Sequence, residues 1–289
     1  MFTADAHCDT LYEIALCHTP PEKCVVTPER LASGGVGLQT FALFAGKHGT
    51  QGTAHQDGLD MLAAVSRLGV PVLTGDLPDA PPEVPTGILS CEGGEMLEGS
   101  LARFEEFMAR ARLRMIALTW NFENEIGYPA VGGEQKGLKP FGRELLRAMD
   151  AAGVVADASH LNEAGFWDLI EHAEIPPMAS HSDCRWLCDV PRNLTREQVR
   201  ALIERGGFIG VNFYADVLGP TRPPRWTTPC ATSTPSARWA ANACWASAPT
   251  STASMPGPTA WAIPRASPPC WTRCAGAATP RRPSGTSPG

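Results

Sequence analysis

The sequence predicts an α/β chain of the (β/α)8 TIM-type barrel class, with its last strand and helices missing or scrambled. Three observations carry this. Short apolar runs alternate with helix-period segments over residues 1–218, seven strand candidates appear there, and the pattern stops abruptly at residue 219. The 289 residues suffice for one barrel or two small domains, and 43% hydrophobic residues can fill a core. A doubly wound open sheet is the other arrangement such alternation permits, but no glycine-rich phosphate fingerprint follows the first strand.

In chain order, the strand candidates are Phe2–His7, Gly37–Phe44, Thr86–Cys91, Arg114–Thr119, Gly153–Ala158, Pro177–Ser180 and Phe208–Phe213. Between them, Asp60–Leu68 places Leu62, Val65 and Leu68 on one side of a helix, and Leu101–Arg112 and Phe141–Ala152 repeat that pattern. Thr195 and Gln198 have the spacing of a capping box opening a helix over Arg196–Arg205, and Gly206-Gly207 suits its stop.

A net charge of -6 argues against nucleic acid as a partner. No apolar run reaches the roughly 18 residues a membrane-spanning helix needs. The N-terminus shows no basic stretch followed by an apolar core, so no signal peptide is expected. Ten cysteines in a chain without such a leader read as reduced thiols, which predicts a cytoplasmic location.

The segment 219–289 is compositionally different. It contains no Leu, Val, Phe, Tyr, Lys, Asp, Glu, Gln or His, and its seven charges are all Arg, so residues 1–218 carry about -13. Its Ala, Pro, Ser, Thr and Arg suit a disordered or poorly packed tail, but five Trp and four Cys do not. Ala, Pro, Ser, Thr, Arg, Gly, Trp and Cys are the residues whose codons carry C or G in the middle position. A GC-rich gene read out of frame, with its wobble base moved to the middle, would produce this list. We hypothesise a frameshift near residue 219, under which "WASAPTSTAS" (245–254) can be restored as LGLGADFDGI, an eighth strand. The division expected is 1–218 as the barrel and 219–289 as an aberrant tail. Sequencing the gene across codons 210–230 decides it.

Polar residues collect at the ends of the strand candidates. The first ends in His7-Cys8-Asp9, the third in Glu92, the fifth in Asp157 and His160, the sixth in His181. In an extended chain His7 and Asp9 point to one side. Barrel active sites form at the C-terminal strand ends. Imidazoles and carboxylates from four strands make a ligand set for two divalent ions, and imidazole plus carboxylate suits zinc. A carboxylate can bridge two ions about 3.5–4 Å apart, leaving between them a water acidic enough to attack at neutral pH. Taken singly, His160 also reads as a helix cap, His181 as a core histidine, Glu92 as a solvated turn residue and Arg192 as a surface ion pair. His18, His48, His55 and His172 are expected on the surface.

The segments "DAHCDT", "SCEGGEML", "LTWNFENEIG", "DASHLNE", "SHSDCR" and "PRNLTREQ", in this order, resemble the membrane (renal-type) dipeptidase family of zinc metallopeptidases. The likeness covers about residues 1–218, and the restored "GADFDG" resembles the family's last barrel strand. It implies a metal-dependent hydrolase barrel that hydrolyses small dipeptides with two Zn2+ per chain. His7 and Asp9 would hold one ion, Glu92 would bridge both, and His160 and His181 would complete the second. Arg192 would bind the substrate carboxylate, a role that suits a guanidinium fork. Trp120 stands where some members have a histidine that steadies the oxyanion, and it is expected to line the pocket. The family's last-strand aspartate, which handles the proton and the substrate amine, has no counterpart in the unrestored tail, and without an eighth strand the ligands lack a rigid frame, so weak zinc binding and little turnover are expected. The assembly is left open, with a homodimer among the options. The competing functions are another binuclear amidohydrolase-type activity, including β-lactam opening, and an inactive metal-binding or interaction protein. The usual His-x-His opening and lysine bridge of the first are missing here.

Overall fold

A computed structural model of the chain describes residues 3–46, 52–77 and 80–218. Among these residues seven strands form one sheet in the order β1 to β7: Thr3–Asp5, Val36–Phe44, Thr86–Glu92, Met115–Ala117, Val155–Asp157, Met178–Ala179 and Phe208–Ile209. All six adjacent pairs are parallel. Parallel neighbours need crossover connections. All six crossovers are helical: α1 (Thr10–Ala15), α2 (Pro28–Gly34), α3 (Ala54–Ala64), α4 (Leu101–Ala111), α5 (Pro140–Ala152), α6 (Glu163–His172) and α7 (Arg196–Glu204), with a short α8 (Ala215–Leu218) after β7; of these the sequence predicts α3, α4, α5 and α7.

The helices bury their apolar stripes on one face of the sheet. Phe104 and Phe107 of α4, and Leu145, Leu146 and Met149 of α5, join Phe41, Leu43, Leu89 and Ile116 in a single core. Each large side chain fully buried this way contributes on the order of 1.5–3 kcal/mol. The opposite face closes on itself. Ala4, Leu38, Ile88, Met115, Met178 and Phe208, from six different strands, form a second small cluster, with Val155 of β5 against it. The curl shows at the rim, where the rings of His7, just after β1, and His181, just after β6, stack at 4.0 Å, and the result is a curled half-barrel.

The register brings the chemistry to one rim. Phe44 pairs with Glu92, Glu92 with Ala117, and Ala117 with Asp157, one row across the C-terminal ends of four strands.

Local signals account for the helix ends. Thr195 and Gln198 make both bonds of the capping box, and Gly206 follows the helix in the left-handed region at φ +73°. Asn162 rather than His160 caps α6, through the N–H of Gly165 at 2.8 Å. Three expectations need correction. The third helix begins at Ala54, six residues before its predicted start, because Gln56, Asp57 and Gly58 hide its apolar period. The seventh strand ends at Ile209 rather than Phe213; beyond it, Asn212 turns inward and its N–H is held by Asp183. His55 is half-buried, between Glu106 and the Met96 carbonyl, rather than on the surface.

The eighth strand of the restored frame and the whole tail 219–289 lie outside the described residues, as does His48. Among the described residues β1 and β7 each have a single sheet neighbour. No helix there is long and apolar enough to cross a membrane.

Candidate metal centre

Five residues from four strand ends converge. Glu92, 3% exposed, closes β3 and lies at their centre. Its Oε1 is 3.0 Å from His160 Nε2 and 3.1 Å from His181 Nε2. Its Oε2 is 3.4 Å from His7 Nε2, which is 3.2 Å from Asp9 Oδ1. The His7 and His181 rings stack at 4.0 Å. One carboxylate thus turns one oxygen to each of two donor sets.

The histidine tautomers follow from the partners behind them. His160 Nδ1 donates to Asn121 Oδ1 at 2.9 Å, because an amide oxygen only accepts. His181 Nδ1 lies 2.6 Å from Ser180 Oγ, whose hydroxyl donates to Asp157. That hydroxyl oxygen therefore accepts from His181. Both imidazoles present an unprotonated Nε2 to the centre, 3.0 Å apart. Such outer partners orient ligating imidazoles. Asp157 is fixed in turn by the N–H groups of Ser159 at 2.8 Å and Ser180 at 3.0 Å. His160 holds its position with φ at +67°, an uncommon conformation for a residue with a Cβ.

The electrostatics match this arrangement. Burial drives His160 down to about 4 and His181 well below the ordinary imidazole range, so both are neutral at pH 7. Burial acts on His7 in the same direction, but the carboxylates of Glu92 and Asp9 outweigh it and raise it well above that range. Burial opposes the charge on Glu92, but the positive charge of His7 beside it more than offsets this and holds the carboxyl well below the ordinary range.

These residues fit divalent ions. Donors held by one zinc at 2.0–2.1 Å in tetrahedral array stand about 3.3 Å apart. Glu92 Oε1, His160 Nε2 and His181 Nε2 form a triangle with edges of 3.0, 3.0 and 3.1 Å. Three acceptors facing one another, two half-buried imidazoles and the buried carboxylate, suit a shared cation between them.

Arg192 lies beside the cluster, 9% exposed, donating to Ser182 Oγ at 2.8 Å and to the His181 carbonyl at 3.0 Å. Burial lowers it to about 10, which leaves it charged. No carboxylate of the described residues pairs with it within 4.0 Å. Trp120, half-buried, packs its ring edge on Phe44 at 4.9 Å and stands 6.4 Å from the His160 ring. The structure therefore brings His7, Asp9, Glu92, His160 and His181 together and places Arg192 and Trp120 at their margin. Asn121, Ser180 and the orienting part of Asp157 were not singled out in the sequence. Asp157 was visible at its strand end, but an Asn in a loop and a Ser beside a His carry no signal of their own.

The model of the membrane dipeptidase family (Peptidase family M19) matches residues 1–237, and the chain belongs to that family. Over 128 residues it is 38% identical to an uncharacterized protein of the pqqA 5′ region of Klebsiella pneumoniae, covering 42% of this chain and 47% of that one. Over 137 residues it is 28% identical to an uncharacterized dipeptidase of Schizosaccharomyces pombe, covering 47% and 33%. The matches thus span less than half the length of these curated relatives. Among solved structures, the metallopeptidase of Rhodobacter sphaeroides liganded with a phosphinate mimic of the dipeptide L-Ala-D-Ala shares the fold at a TM-score of 0.66 and 21% identity, with 76% of each chain covered. The dipeptidase AC of family M19 does so at 0.66 and 23%, covering 75% of this chain and 73% of that one.

Proposed function

We propose that the centre holds two zinc ions and hydrolyses dipeptides, with turnover impaired in this chain. The observation that carries this reading is the division of Glu92, one oxygen facing His160 and His181, the other facing His7 and Asp9. A structural ion pair would not need two separate sets of imidazole on one carboxylate. Family membership supports the same chemistry, and a family-fold structure with a dipeptide mimic supports the substrate class.

His160, His181 and Glu92 would hold one ion, and His7, Asp9 and Glu92 the other. Zinc would supply an acidified water as nucleophile and a Lewis acid for the carbonyl oxygen. The chain's own residues do the rest. Asn121 and the Ser180–Asp157 pair keep the Nε2 lone pairs of His160 and His181 aimed inward. Arg192, buried and without a carboxylate partner among the described residues, takes the C-terminal carboxylate of the dipeptide through its planar fork. Trp120 lines the pocket and excludes water on the side of His160. Its indole N–H is a donor but cannot supply the charge of an imidazolium.

The weakness lies in proton delivery to the leaving amine, a step that general acid catalysis typically accelerates by about 10²–10⁴-fold. Residues 219–289 contain no Asp, Glu or His to serve it. The reading is tested by zinc analysis of the full chain together with a dipeptide hydrolysis assay. Two zinc equivalents with slow, zinc-dependent release of free amino acids support it. A chain that takes up no zinc contradicts it.

A further inference from the structure

The segment "SCEGGEML" contains a second buried carboxyl that the ligand set does not use. Glu95 is 7% exposed and three residues beyond Glu92. Its carboxyl accepts, at 3.3 Å, the side-chain amide of Asn124. Asn124 belongs to the turn that follows β4. Asn124 closes that turn, donating to the Leu118 carbonyl at 2.9 Å and accepting from the N–H groups of Ile126 at 2.8 Å and Gly127 at 3.1 Å. Between Trp120 and Asn124 lies Asn121, whose Oδ1 holds His160 Nδ1.

The two glycines make this fold-back feasible. Gly93 has φ +76°, and a Cβ there would collide with the Glu95 carboxylate. A Cβ at Gly94 would collide with Ile126 of the same turn. The sequence Glu-Gly-Gly-Glu is thus one unit: its first carboxylate faces the metal centre, and its second grips the neighbouring turn. Closing a turn does not require a buried carboxyl, which is destabilising unless hydrogen-bonded.

We infer that Glu95 is a positioning residue: it ties the Glu92 turn to the Trp120–Asn124 turn and thereby, through Asn121, fixes the ring of His160. The inference rests on the proposal that Glu92 and His160 hold an ion, and its test separates the two. Zinc affinity of the full-length chain is measured by chelator competition for wild type, Glu95→Ala, Asn121→Ala and the double variant, with thermal melting as the check on folding. Glu95→Ala is expected to weaken zinc binding by about 10–100-fold, the range for partners behind a ligand. Glu95→Gln, which keeps one acceptor oxygen, is expected between the two. In the Asn121→Ala background the loss of Glu95 should add less than threefold, because the link is already cut. A general folding role would instead give penalties that multiply. Wild-type affinity in folded Glu95→Ala, or full multiplication of the two effects, overturns the inference. Should Glu95→Ala fail to fold, the isosteric Glu95→Gln carries the same cycle. Failure of wild type itself to bind zinc would sink the underlying proposal and this inference together.

Discussion

His160 Nε2 and His181 Nε2 stand 3.0 Å apart with no hydrogen between them, because each ring commits its proton on the other side, to Asn121 and to Ser180. Two lone pairs and the Glu92 carboxylate thus face a common point, a pattern that suits a bound cation. The ionisation states of the three histidines follow, and they can be observed.

With zinc removed at pH 7.5, ring 15N shifts should show His160 and His181 neutral with the proton on Nδ1. His7 should be an imidazolium, since Glu92 and Asp9 raise it. Zinc should abolish the imidazolium signature, because metal binding displaces ligand protons. A neutral His7 in the metal-free protein would contradict the electrostatics described here.

The two donor sets are predicted to fail separately. His160→Ala or His181→Ala should cut the zinc content from about two to about one per chain, and so should Asp9→Asn on the other side. Glu92→Gln should weaken both ions by at least about 10-fold, since it removes the charge they would share. Metal analysis after gel filtration reads all four variants.

Arg192→Ala should leave zinc content unchanged while weakening a phosphinate dipeptide mimic by about 100-fold, the scale for removing one partner of a buried charge-assisted pair. Arg192→Lys should recover little, because a point charge does not reproduce a planar fork. Calorimetric titration of the zinc-loaded variants checks this, and equal weakening of a mimic lacking the terminal carboxylate would contradict it.

Asp183 provides a test of stability against pH. Burial raises its carboxyl to about 6, against about 4 in an unfolded chain, and its Oδ2 has no hydrogen-bond partner. A carboxyl raised on folding favours the native state below its unfolded pKa, and that stabilisation is lost as pH rises through the folded value. Asp183→Asn should therefore gain stability relative to wild type between pH 4 and 6, by up to about 3 kcal/mol. Neutral His160 and His181 act with the opposite sign in the same window, so the difference between the two proteins in denaturant is the quantity to measure. A difference independent of pH would contradict the assignment.

If the tail arises from a frameshift, restoring the frame supplies an eighth strand with a carboxylate and a neighbour for the two sheet edges. The restored protein should hydrolyse dipeptides at least about 100-fold faster, the scale of general acid catalysis, and melt at a higher temperature. Equal rates for both proteins would contradict the impairment.

The fold was legible because a buried parallel strand reads as an apolar run whatever its exact ends. All seven strands overlap the predicted runs, but only β2 and β3 fill them; β1, β4, β5, β6 and β7 are each half as long as predicted or shorter. The third helix was harder, since Gln56, Asp57 and Gly58 interrupt its first turns. His7, Asp9, Glu92, His160 and His181 stand out because a titratable group at the end of an apolar run is unusual. Asn121 and Ser180 do not, since their contribution depends on which ring nitrogen they meet across 39 residues and one residue of chain. Glu95 was visible as a letter in a motif, but only the fold-back at Gly93 reveals what it grips.

The central claim is that Glu92 joins two ions. The most direct test is zinc-edge X-ray absorption of the zinc-loaded full chain. Two zinc ions per chain about 3.5–4 Å apart, with nitrogen and oxygen ligands near 2.0–2.1 Å, are predicted. A single isolated zinc, or sulfur ligands from the cysteines near 2.3 Å, would contradict the account.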